Sequence, residues 1–583
     1  MKLFYAIIFL FSFFYAKAQE ESFPYYLEYW QPMGMEIVKA FPVDDEEYLL
    51  IGYVESYSPE DYPGLFTSTA TQQQWMGKDG CVSFRTNSDW EVLSTAPIFN
   101  NDVNTGLYNT SFFKGSDQLV YFYYHNIVGR LNSDGSLDYL QILDEEIKIE
   151  SMTYHDGLLY GLRGQYYINN PQELMPGKIY TFDATNGAIA DNYIIGDPTA
   201  YWVDYTGVAV DNSGIYVMGT VQYSEFTTGL ETDTTFYYTD GAFQPFQSIQ
   251  TNPLFTEYIG FLTKYHLANP QQMQWSTYLA GEGSLLAMSA EVPRNTIRLI
   301  DNDLFIVGFA LNGTTNISTP NTYLETTPYG YGGFLMRFSS SGERLMGTYI
   351  NEMENPEQAG PGIKIPSFVT NTDDVGRVMV SSFYTVQQNM AISLTSNAPY
   401  DEVGTQNTYL QEFNPQGQRL YGMVISNNGD MNKYLPSQLS LQSAERLPII
   451  AEHDGFKVFC WEREPALSAN YLTTQERIID YATENKFSVA SYNDKPSSTD
   501  QFTETAFSIY PNPTTDVLNI TSTSTDNITQ AKVYDISGKL LLHLTFDNHQ
   551  VTQQIPVEHL ASGIYIIELS SEKHTQKTKF IKR

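Results

Sequence analysis

The sequence predicts an all-β chain, and three observations carry that expectation. Short apolar runs are broken repeatedly by Gly, Asn, Asp and Pro, as strands and turns require. Apolar stripes at helical spacing and of useful length are lacking. Aromatic residues make up 14% of the chain, with 44 Tyr among them, and Tyr, Phe, Val, Ile and Thr fit a pleated, half-buried surface. At 583 residues and 42% apolar content, the chain can build a sizeable core in more than one domain.

Two kinds of segment alternate along it. The first is a short apolar strand, at 48–55, 119–126, 158–165, 214–221, 303–310, 377–384 and 447–454. The second is a hairpin, at 79–94, 125–140, 177–192, 259–279, 332–350, 407–425 and 454–472. Its turns read NSDG, SSSG or NPQG, residues that tolerate left-handed backbone and bond their own main chain. The flanking strands alternate apolar and polar residues. One strand plus one hairpin cannot bury both of its faces. Seven phased copies therefore predict a seven-bladed β-propeller over 19–492, in which neighbouring blades cover each other. A β-sandwich array is the rival, but it does not call for seven phased copies.

Within this region VAVDNSGIYVMGTV (208–221), DGAFQ (240–244), GFLTKY (260–265) and WSTYLAG (275–281) resemble the bacterial SBBP, or beta-propeller, repeat. The wording matches over 207–350; elsewhere only the pattern does. The resemblance implies a propeller in a secreted or surface setting and carries no defined activity.

Insertions separate the strand from its hairpin at 56–78, 222–258, 311–331 and 385–406. Equivalent loops of a repeat emerge on one face, so these four are expected to form a ligand-binding rim. Its candidate residues are Trp75, Phe236, Tyr237, Tyr238, Tyr329 and Tyr331, flanked by Glu225, Asp233 and Asp240. Aromatic faces beside carboxylates suit a glycan or a protein segment. The same aromatics also suit packing at blade edges.

The net charge of −35 excludes a nucleic-acid partner, whose phosphates demand Lys/Arg clusters. Residues 504–583 hold 7 Lys/Arg against 8 Asp/Glu, so −34 lies upstream and the boundary near 500 is a charge boundary. Acidity of this size keeps an exported chain soluble. The eight His fall in no H-E-x-x-H frame. There is no G-x-S-x-G elbow, phosphate loop, calcium loop or Cys/His metal spacing. No cofactor or metal is expected, and no catalytic residue is assigned. A non-catalytic binding module is expected ahead of the alternative, an extracellular polysaccharide hydrolase or lyase on the same scaffold. Cys81 and Cys460 fall in the first and last blades, which a closed propeller makes neighbours. They are either a disulfide clasp or two buried thiols.

At the N-terminus, Lys2, an apolar run from Leu3 to Ala16 and the A-x-A of Ala16-Lys17-Ala18 predict a signal peptide over 1–18, cleaved between Ala18 and Gln19. No later stretch reaches membrane-spanning length, so no transmembrane span is expected in the mature chain. A polar linker at 493–503 leads to a small β-module over 504–583, expected to be an Ig-like antiparallel sandwich. It carries YPNP (Tyr510, Pro511, Asn512, Pro513), VYDISGK with Gly538 and Lys539, L-x-x-GIYII with Gly563 and Tyr565, and a basic end. In that order these pieces resemble the type A C-terminal sorting domain of type IX secretion. The resemblance implies two partners, the outer-membrane secretion machinery and a sortase-like protease that removes the module. It implies passage through the periplasm to the cell surface or the medium.

Overall fold

A computed structural model describes residues 25–30, 36–43, 47–54, 56–59, 65–66, 68–87, 92–102, 110–168, 173–223, 235–245, 259–279, 285–286, 296–310, 315–326, 332–350, 367–368, 378–385, 406–426, 449–452, 455–462, 475–477, 486–493, 507–510, 514–522, 528–534, 539–546, 552–561, 563–571 and 575–583. The chain divides into two compact units, 1–494 and 495–583. Both are built of antiparallel β-sheet, with a single parallel pairing in unit 1 and one short helix, Thr69–Trp75, among the described residues.

Among the described residues, unit 1 holds seven successive sheets of four or five strands. The first contains Glu36–Pro42, Glu47–Val54, Gly80–Asn87 and Val92–Asn100 in that order. The second contains Ser111–Lys114, Val120–Tyr124, Ile127–Leu131 and Leu137–Ile142. The third contains Ser151–His155, Leu158–Arg163, Lys178–Asp183 and Ile189–Ile194, and the fourth Trp202–Asp211, Gly214–Gln222, Ile259–His266 and Asn269–Tyr278. In the fifth, Asp303–Ala310, Gly332–Phe338 and Arg344–Tyr349 follow two short strands; the sixth ends in Gln406–Phe413 and Arg419–Ser426.

The hydrophobic clusters lie between sheets. Phe41, Leu49 and Cys81 of the first pack with Phe112, Phe122 and Leu131 of the second. Tyr121 and Val128 meet Leu159 and Phe182, and Leu162 and Ile179 meet Val203, Val217 and Phe261. Sheets four and five, then five and six, share cores in the same way. The second to fifth sheets thus contribute to a core on each face, so each of them depends on two neighbours.

The outer hairpins interlock the sheets further. Gly135 of the NSDG turn adopts φ +85° and lies against Leu49 and Ser83 of the preceding sheet, where Ser83 Oγ donates to the Gly135 carbonyl at 2.7 Å. Gly342 of the SSSG turn, φ +88°, seats on the Trp275 ring in the same manner. Turn chemistry and sheet packing are thus met by one residue.

The seventh sheet departs from expectation. Ile449–Glu452 is its first strand, Gly455–Glu462 its second and Lys486–Asn493 its third. The fourth is supplied by Tyr25–Trp30, antiparallel to Lys486–Asn493. Segment 447–454 therefore opens this sheet, and 454–472 is not its outer hairpin. The His-Asp-Gly at 453–455 matches the one at 155–157, which likewise follows a first strand. With that phase, only the second sheet turns tightly between its second and third strands, at His125-Asn126. The third and seventh also carry enlarged connections, 164–177 and 463–485, in addition to the four expected.

Unit 2 packs the strands Phe507–Tyr510, Val517–Ser522 and Thr552–Pro556 against a four-stranded sheet of Leu540–Thr545, Gln530–Tyr534, Gly563–Ser570 and Thr575–Lys582. Leu518, Ile520 and Ile555 of one sheet share a core with Val533, Ile567, Leu569 and Phe580 of the other. Alternation in strands such as Gln530–Tyr534, buried at every second residue, is what the sequence pattern required.

Candidate functional site

The described parts of the enlarged connections of the first, fourth and fifth sheets fold back onto the outer strand of their own sheet. In the first, the Leu65 carbonyl accepts from Thr95 Oγ1 at 2.7 Å. The helix Thr69–Trp75, capped by Ser68, drives Trp75 into a buried cluster in which the Phe66 ring stands 5.1 Å from that of Trp75 and 5.0 Å from that of Tyr57. In the fourth, the Thr239 amide donates to Ser276 and the Tyr278 amide to Gln244. In the fifth, the Thr319 amide donates to Gly347 and the Tyr349 amide to Leu324. In the fourth and fifth sheets these segments satisfy main-chain groups that an outermost strand would otherwise leave to water or to another chain.

The residues expected on a rim are placed accordingly. Trp75 and Tyr237 are buried, and Tyr237 stacks on Phe261 at 3.8 Å. Phe236 and Tyr238 are partly buried against the core shared by sheets three and four. Tyr329 and Tyr331 lie outside the described residues.

A different group of side chains converges where the inner strands of sheets three and four begin. Gln165 pairs with Val203 through both main-chain groups, at 2.8 and 3.1 Å, joining the end of one sheet's second strand to the start of the next sheet's first. Glu150 precedes Ser151–His155; its Oε2 accepts from the Tyr205 amide at 3.1 Å. A Cβ on Gly164 would lie 2.4 Å from Glu150 Oε1, so only glycine leaves room for that carboxyl. Asp204 is buried, and its Oδ1 accepts from Trp202 Nε1 at 2.5 Å.

The electrostatics follow from this placement. Burial, then the Asp204 charge, push the Glu150 carboxyl well above the ordinary carboxylate range, against the opposing pull of the Tyr205 and Gly164 amides and of Arg163. Arg163 is itself buried and donates to the Pro176 carbonyl. The Tyr166 and Trp202 rings stand 6.1 Å apart, both partly exposed, with Lys148 Nζ 5.6 Å from the Tyr166 centroid. Tyr166 opens the small hairpin Tyr166–Ile168 with Glu173–Met175.

A buried carboxyl held above its ordinary range beside Asp204, with the Tyr166 and Trp202 rings nearby, can hydrogen-bond a hydroxyl-rich ligand while the rings stack on its apolar face. None of Glu150, Tyr166, Trp202 and Asp204 was singled out from the sequence. One signal was available: Trp202 and Asp204 are two apart on a strand and so share a face. Among the described residues, no group of three or more His, Cys, Asp or Glu is arranged to hold a metal, and no helix is long and apolar enough to cross a membrane.

In unit 2, Tyr510 is 50% exposed at the end of its strand, and its carbonyl accepts from Asn519 Nδ2. Lys539 is exposed just before Leu540–Thr545, and Gly563 opens its strand. Tyr565 is buried; its hydroxyl donates to the Ala561 carbonyl at 2.7 Å and its ring stacks on Phe580. Pro511, Asn512, Pro513 and Gly538 lie outside the described residues, as do Ala18 and Gln19. Cys81 is buried on Gly80–Asn87, and Cys460 lies on Gly455–Glu462.

No curated protein matches the chain. Among solved structures, it is similar to the Pan2 WD40 domain of Neurospora crassa at TM-score 0.37 and 8% identity, covering 83% of this chain and 98% of that one. It is also similar to a protein of unknown function from Bacteroides caccae (TM-score 0.27, 8% identity, 59% and 89% covered). A third is glycoside hydrolase family 32 of Bifidobacterium adolescentis (TM-score 0.24, 11% identity, 96% and 77% covered). At TM-scores this low, none of these likenesses decides what unit 1 does. The C-terminal unit is different: residues 508–583 match the model of the secretion system C-terminal sorting domain, so the chain ends in a type IX sorting domain, which indicates export to the cell surface or the extracellular space.

Proposed function

We propose that the chain is an exported seven-bladed β-propeller that binds a glycan without chemical change. On this reading a signal peptide is removed at Ala18–Gln19, the Ig-like C-terminal module delivers the passenger through the type IX machinery, and a sortase-like protease removes that module. Seven successive sheets with cores between neighbours support the propeller, as does the N-terminal strand inserted in the last sheet. Residues 207–350 carry its SBBP-like repeats. Of the two readings of the cysteines, buried thiols are favoured over a Cys81–Cys460 clasp, because the Cys81 side chain packs in the core between the first and second sheets.

The observation that carries the binding role is the pair of partly exposed rings, Tyr166 and Trp202, 6.1 Å apart, with the Trp202 indole bonded to Asp204. These carboxyls are engaged by the Tyr205 amide and the Trp202 indole, which suits fixed recognition better than proton transfer. The test is a polysaccharide array with the exported chain, scored for binding and for reducing-end release. Binding lost in Trp202→Ala, without release by the parent, supports the reading; failure of the parent to bind any glycan sinks it.

The second reading is a hydrolase or lyase. It is favoured by the raised Glu150 carboxyl beside Asp204, the pairing that acid–base catalysis on sugars employs. Release of sugar ends that Glu150→Gln abolishes would establish it.

A further inference from the structure

Tyr166 and Trp202 come from different sheets, yet one residue is tied to the placement of both. Gln165 immediately precedes Tyr166, is fully buried, and pairs through its main chain with Val203, the neighbour of Trp202. Its side chain grips the connection that leads to Trp202. Nε2 donates to the Asp197 carbonyl at 2.6 Å and to the Ala200 carbonyl at 2.9 Å. That connection is also fixed from within. Asp197 Oδ1 accepts from the Thr199 amide and hydroxyl, both at 2.8 Å, and the Tyr201 amide donates to the Gln222 carbonyl at 2.9 Å. A Cβ on Gly196 would lie 2.2 Å from Gln165 Oε1, so glycine there makes room for the gripping amide. The Trp202 indole is then held by its bond to Asp204.

The two rings meet at a centroid distance of 6.1 Å and an interplanar angle of 40°. A sugar between them would need van der Waals contact on each of its faces, so rings about 7 Å apart or more. The observed gap is narrower, and the tilt closes it further on one side. A sugar is therefore not sandwiched. It can lie across the rings, whose separation is comparable with that of consecutive units in an extended polysaccharide.

We propose that Tyr166 and Trp202 form one bent platform for two consecutive units of a glycan chain, with Gln165 as the residue that positions them. The inference rests on the glycan reading of this site and narrows it. The ligand class is a chain whose units present apolar faces along one side, in place of a single sugar. Trp202 takes one unit and Tyr166 the next. Because the rings are fixed by main-chain and buried side-chain bonds before the ligand arrives, little ordering is needed on binding.

The test is calorimetric titration of the full-length chain with ladders of one to six units drawn from β-1,4-glucan, β-1,4-mannan, β-1,4-xylan and α-1,4-glucan. In the ladder that binds, affinity is expected to rise about three- to tenfold from one unit to two or three, the contribution of a second aromatic contact, and then to level off. Tyr166→Ala, at a partly exposed position, is expected to keep the single-unit affinity and to lose the gain with length. Gln165→Leu keeps the side-chain volume and removes both bonds to the 197–200 connection. It is expected to melt in one transition, at lower temperature, and also to lose the gain with length. That ratio is the readout that distinguishes positioning from bulk stability. A single unit that binds as tightly as six overturns the platform, as does a Tyr166→Ala protein that keeps the gain, while the glycan reading stands. A folded Gln165→Leu protein with an unchanged ratio removes Gln165 from its positioning role. Absence of binding in every ladder and on the polysaccharide array overturns the glycan reading itself.

Discussion

Leu27 lies opposite Ala490 in an antiparallel ladder, so the first described strand of unit 1 is held by its last. The same residue pairs with Glu476 on its other side. A proline at this position removes a ladder donor flanked by strands on both sides and is expected to cost about 3 kcal/mol. Leu27→Pro should therefore unfold unit 1 at lower temperature and expose the 486–493 segment to protease. An unchanged melting curve would show that Tyr25–Trp30 is dispensable.

The turn glycines allow a matched comparison. Gly135 and Gly157 both adopt left-handed backbone, with φ +85° and +80°. A Cβ on Gly135 would meet Leu49 Cδ1 at 2.7 Å and Ser83 Oγ at 2.9 Å, whereas one on Gly157 meets nothing within 4 Å. Each alanine suffers the left-handed strain of about 1 kcal/mol. Gly135→Ala adds overlap with the preceding sheet, for a total of about 3 kcal/mol. Chemical denaturation of the two variants measures the interlock as their difference. Equal losses would mean that the hairpin turn does not bear on its neighbour.

The β class and the alternation of strand with hairpin were legible because period-two patterning and Asn/Asp/Gly turns are local signals. The phase of the last sheet was not. Its third strand, Lys486–Asn493, lies beyond a long connection, and its fourth, Tyr25–Trp30, comes from the other end of unit 1. The binding rim was misplaced for a related reason. Composition shows that an insertion is aromatic; whether it hangs free or returns to its own sheet depends on hydrogen bonds such as that between Thr239 and Ser276. Glu150 and Asp204 escaped notice because they are brought together by the pairing of Gln165 with Val203, a contact between two sheets. The sorting motifs, by contrast, are consecutive pieces of one small module and were readable as a string.

Tyr237 separates packing from recognition. It is fully buried against Phe261, with Tyr205 and Tyr265 in the same core. Truncation to alanine leaves a cavity and is expected to cost about 3–5 kcal/mol. Tyr237→Ala should lower the melting temperature while its folded fraction binds ligand normally. Trp202→Ala should do the reverse, melting nearly as the parent and failing to bind. A Tyr237→Ala protein that is fully stable but cannot bind would restore the aromatic insertion as the ligand surface.

Glu150 makes stability depend on pH in a known direction. Its carboxyl titrates near 4.5 in an unfolded chain and well above that in the folded one, because burial and Asp204 oppose its charge. Between those two points the folded state binds more protons than the unfolded state, so stability falls as pH rises. Glu150→Gln keeps an acceptor for the Tyr205 amide and cannot ionise. Near pH 4 the parent carboxyl is already neutral, and the two proteins should melt within about 1 °C of each other. As pH rises from the unfolded-chain value toward the folded-state value, the parent increasingly bears the cost of a poorly solvated carboxyl. The variant should then be the more stable of the two, with the higher melting temperature. Melting curves across that range decide it. A gap that does not widen with pH, or one that favours the parent at pH 8, would show that Glu150 is ionised in the folded protein. It would also remove the neutral carboxyl on which both readings of the site depend.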